Sequence, residues 1–367
     1  MKKVSIIGIG KLGLCFALTL ERSGYDVMGC DINKSYVESL NDKTFKSPEQ
    51  GVESALCSSS NFHATVDFAK TVEHSDVLFV VVATPSLKNG RYDHTQVESV
   101  LDKLRDLGYQ KSKKELVICC TTMPGYCDTV SERMKEYNYI TSYNPEFIAQ
   151  GTILRDQAYP EMVLIGEGSK KSGEILQEIY EKHTLSSPRI CRMSRTEAEI
   201  CKISLNCFLT TKISFANMIG DIVLRSGGDP VPVLEAIGSD SRVGNRYLAY
   251  GYGYGGPCFP RDNRALALHA EDVGVDAMIS KASDESNKKH LDYQIEYFKR
   301  SQPQSESITL DSVTYKPEST MIEESQQLAY AAGLAKSGFS VTIRERPSVV
   351  AQVKEIYGDL FRYEEAV

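Results

Sequence analysis

Val4-Ser-Ile-Ile-Gly-Ile-Gly-Lys-Leu-Gly13 opens the chain with an apolar, β-branched run that passes straight into a glycine-punctuated turn. The run suits a strand buried on both faces of a sheet, and the residues beyond the turn suit a helix. A second apolar run, 25–30, follows that helix and ends in Asp31. Strand, Gly-x-Gly-x-x-Gly turn, helix, strand and an acid about 20 residues on make up a dinucleotide-binding unit. Gly8, Gly10, Lys11, Leu12 and Gly13 form the turn that lets a pyrophosphate reach the helix N-terminus. Asp31 is placed to bond ribose hydroxyls and would repel a 2′-phosphate, so the cofactor expected is NAD rather than NADP.

Strands and helices alternate outward from that unit. Residues 77–83 are a continuous apolar run ending at Thr84-Pro85, 116–120 another ending at Thr121-Thr122-Met123-Pro124, and 139–143 a third ending at Asn144-Pro145-Glu146. In open α/β sheets the ligand lies beyond the carboxyl ends of the strands, so these small polar ends mark the expected site edge. Residues 195–225 then read as one long helix stopped by Gly227-Gly228, with Lys202 and Asn206 on one face and Ile200, Ile203, Cys207 and Phe208 as an apolar stripe. Beyond further helix comes a polar linker, 300–307. A strand at 308–313, a helix at 324–336 and a strand at 339–343 then begin a second α/β unit, too short for a complete doubly wound sheet. The predicted fold class is α/β: an N-terminal Rossmann-like doubly wound sheet (1–194), a central long helix and helical domain (195–300), and a short, truncated C-terminal α/β unit (301–367).

The chain has 367 residues, enough for two or three domains, and a net charge of −7. That balance argues against a nucleic-acid or anionic-membrane surface, where a basic patch is expected. No apolar run approaches the ~20 residues of a membrane span, and the sequence begins directly in a strand, so a cytoplasmic location is expected. None of the ten cysteines falls in a CxxC pair and the six histidines show no HxxxH spacing, so neither disulfides nor a metal is expected.

One cysteine stands apart. Gly251-Tyr-Gly-Tyr-Gly-Gly-Pro-Cys-Phe-Pro-Arg-Asp262 sets Cys258 behind a flexible glycine loop and four residues before a carboxylate. A thiol there suits attack on a substrate carbonyl, and the glycines suit a backbone that a ligand must approach closely.

These motifs in this order resemble those of the nucleotide-sugar dehydrogenases, the UDP-glucose 6-dehydrogenase branch most of all. The resemblance covers the 8–31 unit, Ala83-Thr-Pro, Thr121-Thr-Met-Pro, Asn144-Pro-Glu-Phe147, Lys202 with Asn206, Ile237-Gly-Ser-Asp-Ser-Arg242, the Cys258 loop and Tyr315-Lys-Pro317. It implies a four-electron, NAD-dependent oxidation of UDP-glucose to UDP-glucuronate through a thiohemiacetal and a thioester on Cys258. It further implies that Lys202 and Asn206 stabilise the oxyanion, that Thr122 and Asp262 position a water, that Asp262 or Lys202 is the first base, and that Glu146 assists hydrolysis. Thr84, Pro85 and Thr122 join the cofactor site. Glu146, Phe147, Lys202, Asn206, Tyr247, Gly255 and Lys316 would hold the UDP-sugar, Arg242 would reach the site of a neighbouring subunit, and the long helix would form a homodimer core.

Three positions depart from the family pattern: Gly125 follows Pro124 directly, Gln150 stands where an acid is usual, and Glu323-Glu324-Ser325 stands where Arg-Glu-Ser is usual. The alternatives are a dehydrogenase of another nucleotide sugar of the GDP-mannose type, a single-oxidation hydroxyacid-type dehydrogenase that needs no cysteine, and a catalytically impaired nucleotide-sugar-binding homologue.

Overall fold

The computed structural model describes residues 2–148, 151–302, 307–316 and 319–366. By contact the chain forms two compact units, Met1–Lys202 and Ile203–Val367.

The first unit contains β1 (Lys3–Ile7), α1 (Lys11–Arg22), β2 (Asp26–Cys30), α2 (Lys34–Asn41), α3 (Val52–Ser58), β3 (Phe62–Thr65), α4 (Phe68–His74), β4 (Val77–Val80), α5 (Thr95–Asp106), β5 (Lys114–Ile118), α6 (Tyr126–Lys135), β6 (Tyr139–Tyr143), α7 (Ile153–Ala158), β7 (Met162–Gly166), α8 (Lys170–His183) and β8 (Arg189–Met193). The strands form one sheet in the order β3-β2-β1-β4-β5-β6-β7-β8. All neighbours are parallel except β6 and β7, which meet antiparallel at Tyr143 and Gly166. The order turns back at β1, so β1 and β4 flank the topological switch point where a dinucleotide is held. Cores cover both faces of the sheet. One centres on Ile6, Phe16, Val27 and Phe79 and the other on Leu78, Leu101, Leu116 and Tyr143. This explains why the strands read as continuous apolar runs rather than alternating ones.

The glycine turn is fixed by close approach. A Cβ on Gly13 would lie 2.0 Å from the Gly8 carbonyl oxygen, and Gly8 itself takes φ +92° against the Val81 carbonyl. Above Gly10 the space is open to at least 4 Å, and Gly10 caps α1.

α9 (Arg195–Arg225) carries the division between the units. The second unit continues with α10 (Pro230–Ser239), α11 (Phe259–Asp272), α12 (Met278–Ser301), β9 (Ser307–Leu310), α13 (Gln326–Lys336), β10 (Ser340–Glu345), α14 (Pro347–Tyr357) and β11 (Arg362–Glu365). Its three strands form a parallel sheet, β11-β10-β9. Leu291, Ile295 and Phe298 of α12 pack against the core of Val313, Leu334, Ile343 and Phe361, so 203–300 and the C-terminal segment share one packed body.

Two expectations need correction. Phe208 is 63 % exposed whereas Ile203 and Cys207 are buried, so Phe208 lies outside the buried stripe. And α9 is long and apolar enough, by length and composition alone, to cross a membrane. Its polar residues are nonetheless partnered within the second unit: Thr210 accepts from Asn263 Nδ2 at 2.7 Å, Ser214 donates to the Ser283 carbonyl, and Asn217 accepts from the Gly251 N–H.

Candidate active site

At the carboxyl ends of β1, β2 and β4 to β6 the first unit gathers the residues singled out for the cofactor. Gly8, Gly10 and Gly13 make a turn whose own backbone fills the space beside Gly8 and Gly13 and leaves it open over Gly10, where a pyrophosphate would face the N-terminus of α1. Lys11 and Leu12 form its first helical turn, with Lys11 Nζ 3.7 Å from the buried carboxylate of Glu49. Asp31 follows β2, and one of its oxygens accepts from the Asn33 N–H at 3.0 Å. Thr84 is buried and donates to the Thr121 carbonyl at 2.8 Å, tying the loops after β4 and β5, and Pro85 beside it is exposed. The residues fit a dinucleotide.

Glu146 lies just beyond β6. The residue is half-buried, with its carboxyl the enclosed part; burial pushes that carboxyl up to about 7, opposed by a hydrogen bond from Tyr180 and by the charge of Lys202. Lys202 is itself only 8 % exposed, which excludes a solvated surface lysine. Its Nζ donates to the Glu146 carbonyl and lies 4.2 Å from the centroid of the Phe147 ring. A carboxyl able to take a proton near neutrality and an ammonium thus sit at one strand end, as acid–base chemistry requires.

Thr122 is fully buried, and its hydroxyl donates to Glu199 Oε1 at 2.7 Å. Glu199, on the first part of α9, was missed in the sequence. Its carboxylate also accepts from the Gly125 N–H at 2.7 Å and the Cys127 N–H at 2.9 Å, capping the start of α6. Gly125 takes φ +88°, so the turn after Pro124 is closed by this carboxylate. The signal for Glu199 was a charged residue inside an apolar helical stretch, Ala198-Glu-Ile. Gln150 lies outside the described residues.

In the second unit Cys258 is exposed and caps α11, a 14-residue helix. A negative charge developing on its sulfur, or on an oxygen beside it, faces the positive end of that helix. One turn on, Asp262 is 1 % exposed and accepts from Asn206 Nδ2 at 2.6 Å and Arg261 Nε at 3.3 Å. The loop before Cys258 is clamped along its length. Gly251 N–H donates to Asn217, His290 Nε2 donates to the Gly251 carbonyl at 2.7 Å, and Asn287 brackets Tyr254 with bonds to its N–H and carbonyl, both 2.9 Å. The glycines serve this packing. A Cβ on Gly255 would lie 2.2 Å from the Glu324 carbonyl and one on Gly253 2.2 Å from Asn287 Oδ1. The close approach expected of a ligand is therefore made, at these positions, by the protein itself.

Glu324, φ +50°, holds a bidentate ion pair with Arg264 of α11 at 2.6 and 2.9 Å, and the Glu323 carbonyl accepts from the Gly256 N–H. The Glu323 backbone thus braces the cysteine loop, and the Glu324 carboxylate ties the same segment to the helix that follows the loop. Tyr315 packs on Gly256, and Lys316 Nζ lies 6.0 Å from its ring. Tyr247, φ +61°, is exposed and edges onto Phe259 at 6.2 Å. Arg242 is exposed and paired with Asp240, within its own turn.

The NAD binding domain of the UDP-glucose/GDP-mannose dehydrogenase family matches residues 2–184, and the central domain of the same family matches residues 196–289. The chain is 30 % identical over 354 residues to a UDP-glucose 6-dehydrogenase of Pseudomonas aeruginosa, covering 92 % of this chain and 78 % of that protein. It is 29 % identical over 358 residues to a GDP-mannose 6-dehydrogenase of Pseudomonas savastanoi pv. phaseolicola, covering 93 % and 80 %. Among solved structures, a UDP-glucose dehydrogenase from the hyperthermophilic archaeon Pyrobaculum islandicum matches with a TM-score of 0.88 at 29 % identity, over 100 % of this chain and 86 % of that one.

The role of Glu199 can be checked directly. Glu199→Leu leaves the Thr122 hydroxyl and the Gly125 and Cys127 N–H groups buried without their acceptor, and should lower the thermal midpoint of the first unit by roughly 5–10 °C. Glu199→Gln, which keeps one acceptor oxygen, should lose about half as much. An unchanged midpoint in Glu199→Leu would show that these bonds do not hold the loop.

Proposed function

The chain belongs to the UDP-glucose/GDP-mannose dehydrogenase family, and we propose that it oxidises the primary alcohol of UDP-glucose to the carboxylate of UDP-glucuronate. It is a nucleotide-sugar dehydrogenase that uses NAD; when bound, NAD supplies the hydride acceptor. The observation that carries the reading is Cys258, an exposed thiol capping a helix on a loop clamped by Asn217 of α9, Asn287 of α12 and the Glu323 carbonyl. A single alcohol-to-aldehyde oxidation has no use for it. A second one does, because an aldehyde cannot release a hydride until a nucleophile has added to its carbonyl.

In the first step the alcohol gives its proton to Asp262 or Lys202 as its carbon loses a hydride. The Cys258 sulfur then bonds to the aldehyde carbon. The oxyanion so formed is stabilised by Lys202 and Asn206, with donors of this kind worth typically ~3 kcal/mol each. Loss of the second hydride gives the thioester. Water then adds to the thioester carbon, one of its protons passes to Glu146, the carbon–sulfur bond breaks, and the sulfur leaves as thiolate. The carboxylic acid product gives up its remaining proton to thiolate or solvent. The balance is alcohol, water and two NAD giving carboxylate, two NADH and three protons.

By resemblance, the Gly253-Tyr-Gly-Gly-Pro-Cys-Phe-Pro260 loop favours UDP-glucose over GDP-mannose, and Asn144-Pro-Glu-Phe147 argues against an N-acetylhexosamine sugar. The proposed assembly is a homodimer through α9, where Phe208, Phe215, Met218 and Ile222 leave an exposed apolar stripe at spacings of seven, three and four residues. Arg242, exposed on its own subunit, would serve the partner's sugar nucleotide.

With UDP-glucose limiting and NAD in excess, the NADH formed should level off at two per sugar, and GDP-mannose should be oxidised far more slowly. A plateau at one, or a preference for GDP-mannose, would contradict the reading. Placing Asp at both Phe215 and Met218 should convert a dimer to a monomer by sedimentation velocity; a wild-type chain that is already monomeric would dispose of the α9 interface.

A further inference from the structure

A general base must be stable both with and without its proton, and a buried carboxyl achieves that only if a neighbour can reverse the direction of its hydrogen bond. Such a neighbour touches Glu146. Tyr180, on α8, is buried with its hydroxyl 2.7 Å from Asn144 Oδ1 and 3.2 Å from Glu146 Oε1. Asn144 is 1 % exposed, and its Nδ2 donates to the Leu164 carbonyl at 2.9 Å, which fixes the amide so that its oxygen faces Tyr180. A phenol has one proton and two acceptors before it, and can give that proton to only one of them at a time.

We propose that Tyr180 is a positioning residue that carries Glu146 through its change of protonation state. With Glu146 ionised, the Tyr180 hydroxyl donates to the carboxylate. With Glu146 protonated, the carboxyl donates to the Tyr180 oxygen while Tyr180 donates to Asn144. With Glu146 protonated, the chain Glu146–Tyr180–Asn144–Leu164 carbonyl places each of these protons; with Glu146 ionised, Tyr180 serves the carboxylate, and it is the neutral Asn144 amide oxygen that gives up the phenol proton. The shorter contact to Asn144 matches the protonated arrangement. The inference rests on the reading of Glu146 as the base in thioester hydrolysis.

Other groups around Glu146 within the first unit do not replace Tyr180. Lys202, from α9, bonds the Glu146 carbonyl and its charge favours the carboxylate; Cys119, after β5, is buried with its thiol pushed well above its usual range, so it stays neutral; Phe147 carries no charge. The Tyr180 bond holds the Glu146 carboxyl lower than burial alone would place it.

The two partners of Tyr180 predict shifts of opposite sign. A base works ionised, so hydrolysis falls as pH drops through the pKa of Glu146. Tyr180→Phe removes a bond to the carboxylate, so the acid limb should move up by about half to one pH unit. Asn144→Ala removes the competing acceptor and commits the phenol proton to Glu146, so the limb should move down by a similar amount. The experiment is a rapid-quench single turnover with UDP-glucose and NAD, timing release of UDP-glucuronate after the second NADH has formed, across pH 5 to 9. Glu146→Gln is the reference and should abolish the acid limb; a limb that survives it overturns the role of Glu146 itself. If Glu146→Gln behaves as expected, an unmoved limb in Tyr180→Phe, or shifts of the same sign in both variants, overturns the role of Tyr180. Should Tyr180→Phe fail to fold, the downward shift in Asn144→Ala decides alone.

Discussion

A helix whose buried face carries carboxylate, ammonium and amide groups folds only if each of them finds a partner. α9 is such a helix, and the partners its polar residues find are the loops that carry the chemistry. In the first unit Glu199 takes three donors from the Thr122 loop and the start of α6, and Lys202 reaches the Glu146 carbonyl. In the second, Asn206 holds Asp262, Thr210 holds Asn263, Asn217 holds Gly251, and Asp221 orients His290 toward the same glycine. Satisfying buried polar groups and placing catalytic ones are here one requirement. An apolar replacement on this face would strand donors and release a site loop together.

The same reasoning separates the carboxylates by use. Glu199 is fully buried, which pushes its carboxyl up against three donors that lower it, and those three bonds give it a structural role. Asp262 meets Asn206 and Arg261. Glu146 has a phenol, a nearby ammonium and much enclosing protein, and burial carries it to about 7. Near 7 a carboxyl exchanges protons readily under neutral conditions, which is what a hydrolytic base needs.

Much of this was legible in the sequence because it rested on local pattern. The 4–31 unit, the strand at 139–143 and the helix at 195–225 follow from apolar period and glycine punctuation, and the structure sets β1, β2, β6 and α9 there. Strand ends were less legible: 77–83 read as one run, yet β4 stops at Val80, where the chain leaves the ladder to pass over Gly8. Tyr180 and the Arg264–Glu324 pair were invisible because their partners lie far along the chain. The glycines before Cys258 were seen but assigned to a ligand, since nothing in the sequence reveals that Asn287 and the Glu324 carbonyl fill the space beside them.

The account turns on a covalent bond to one sulfur. It is tested most directly by acid-quenching the enzyme during turnover with UDP-glucose and NAD and mapping its peptides by mass spectrometry. The account predicts a UDP-glucuronyl adduct confined to the peptide that carries Cys258, more abundant in Glu146→Gln and absent from Cys258→Ser. Full turnover in Cys258→Ser, or an adduct on another cysteine, would contradict it.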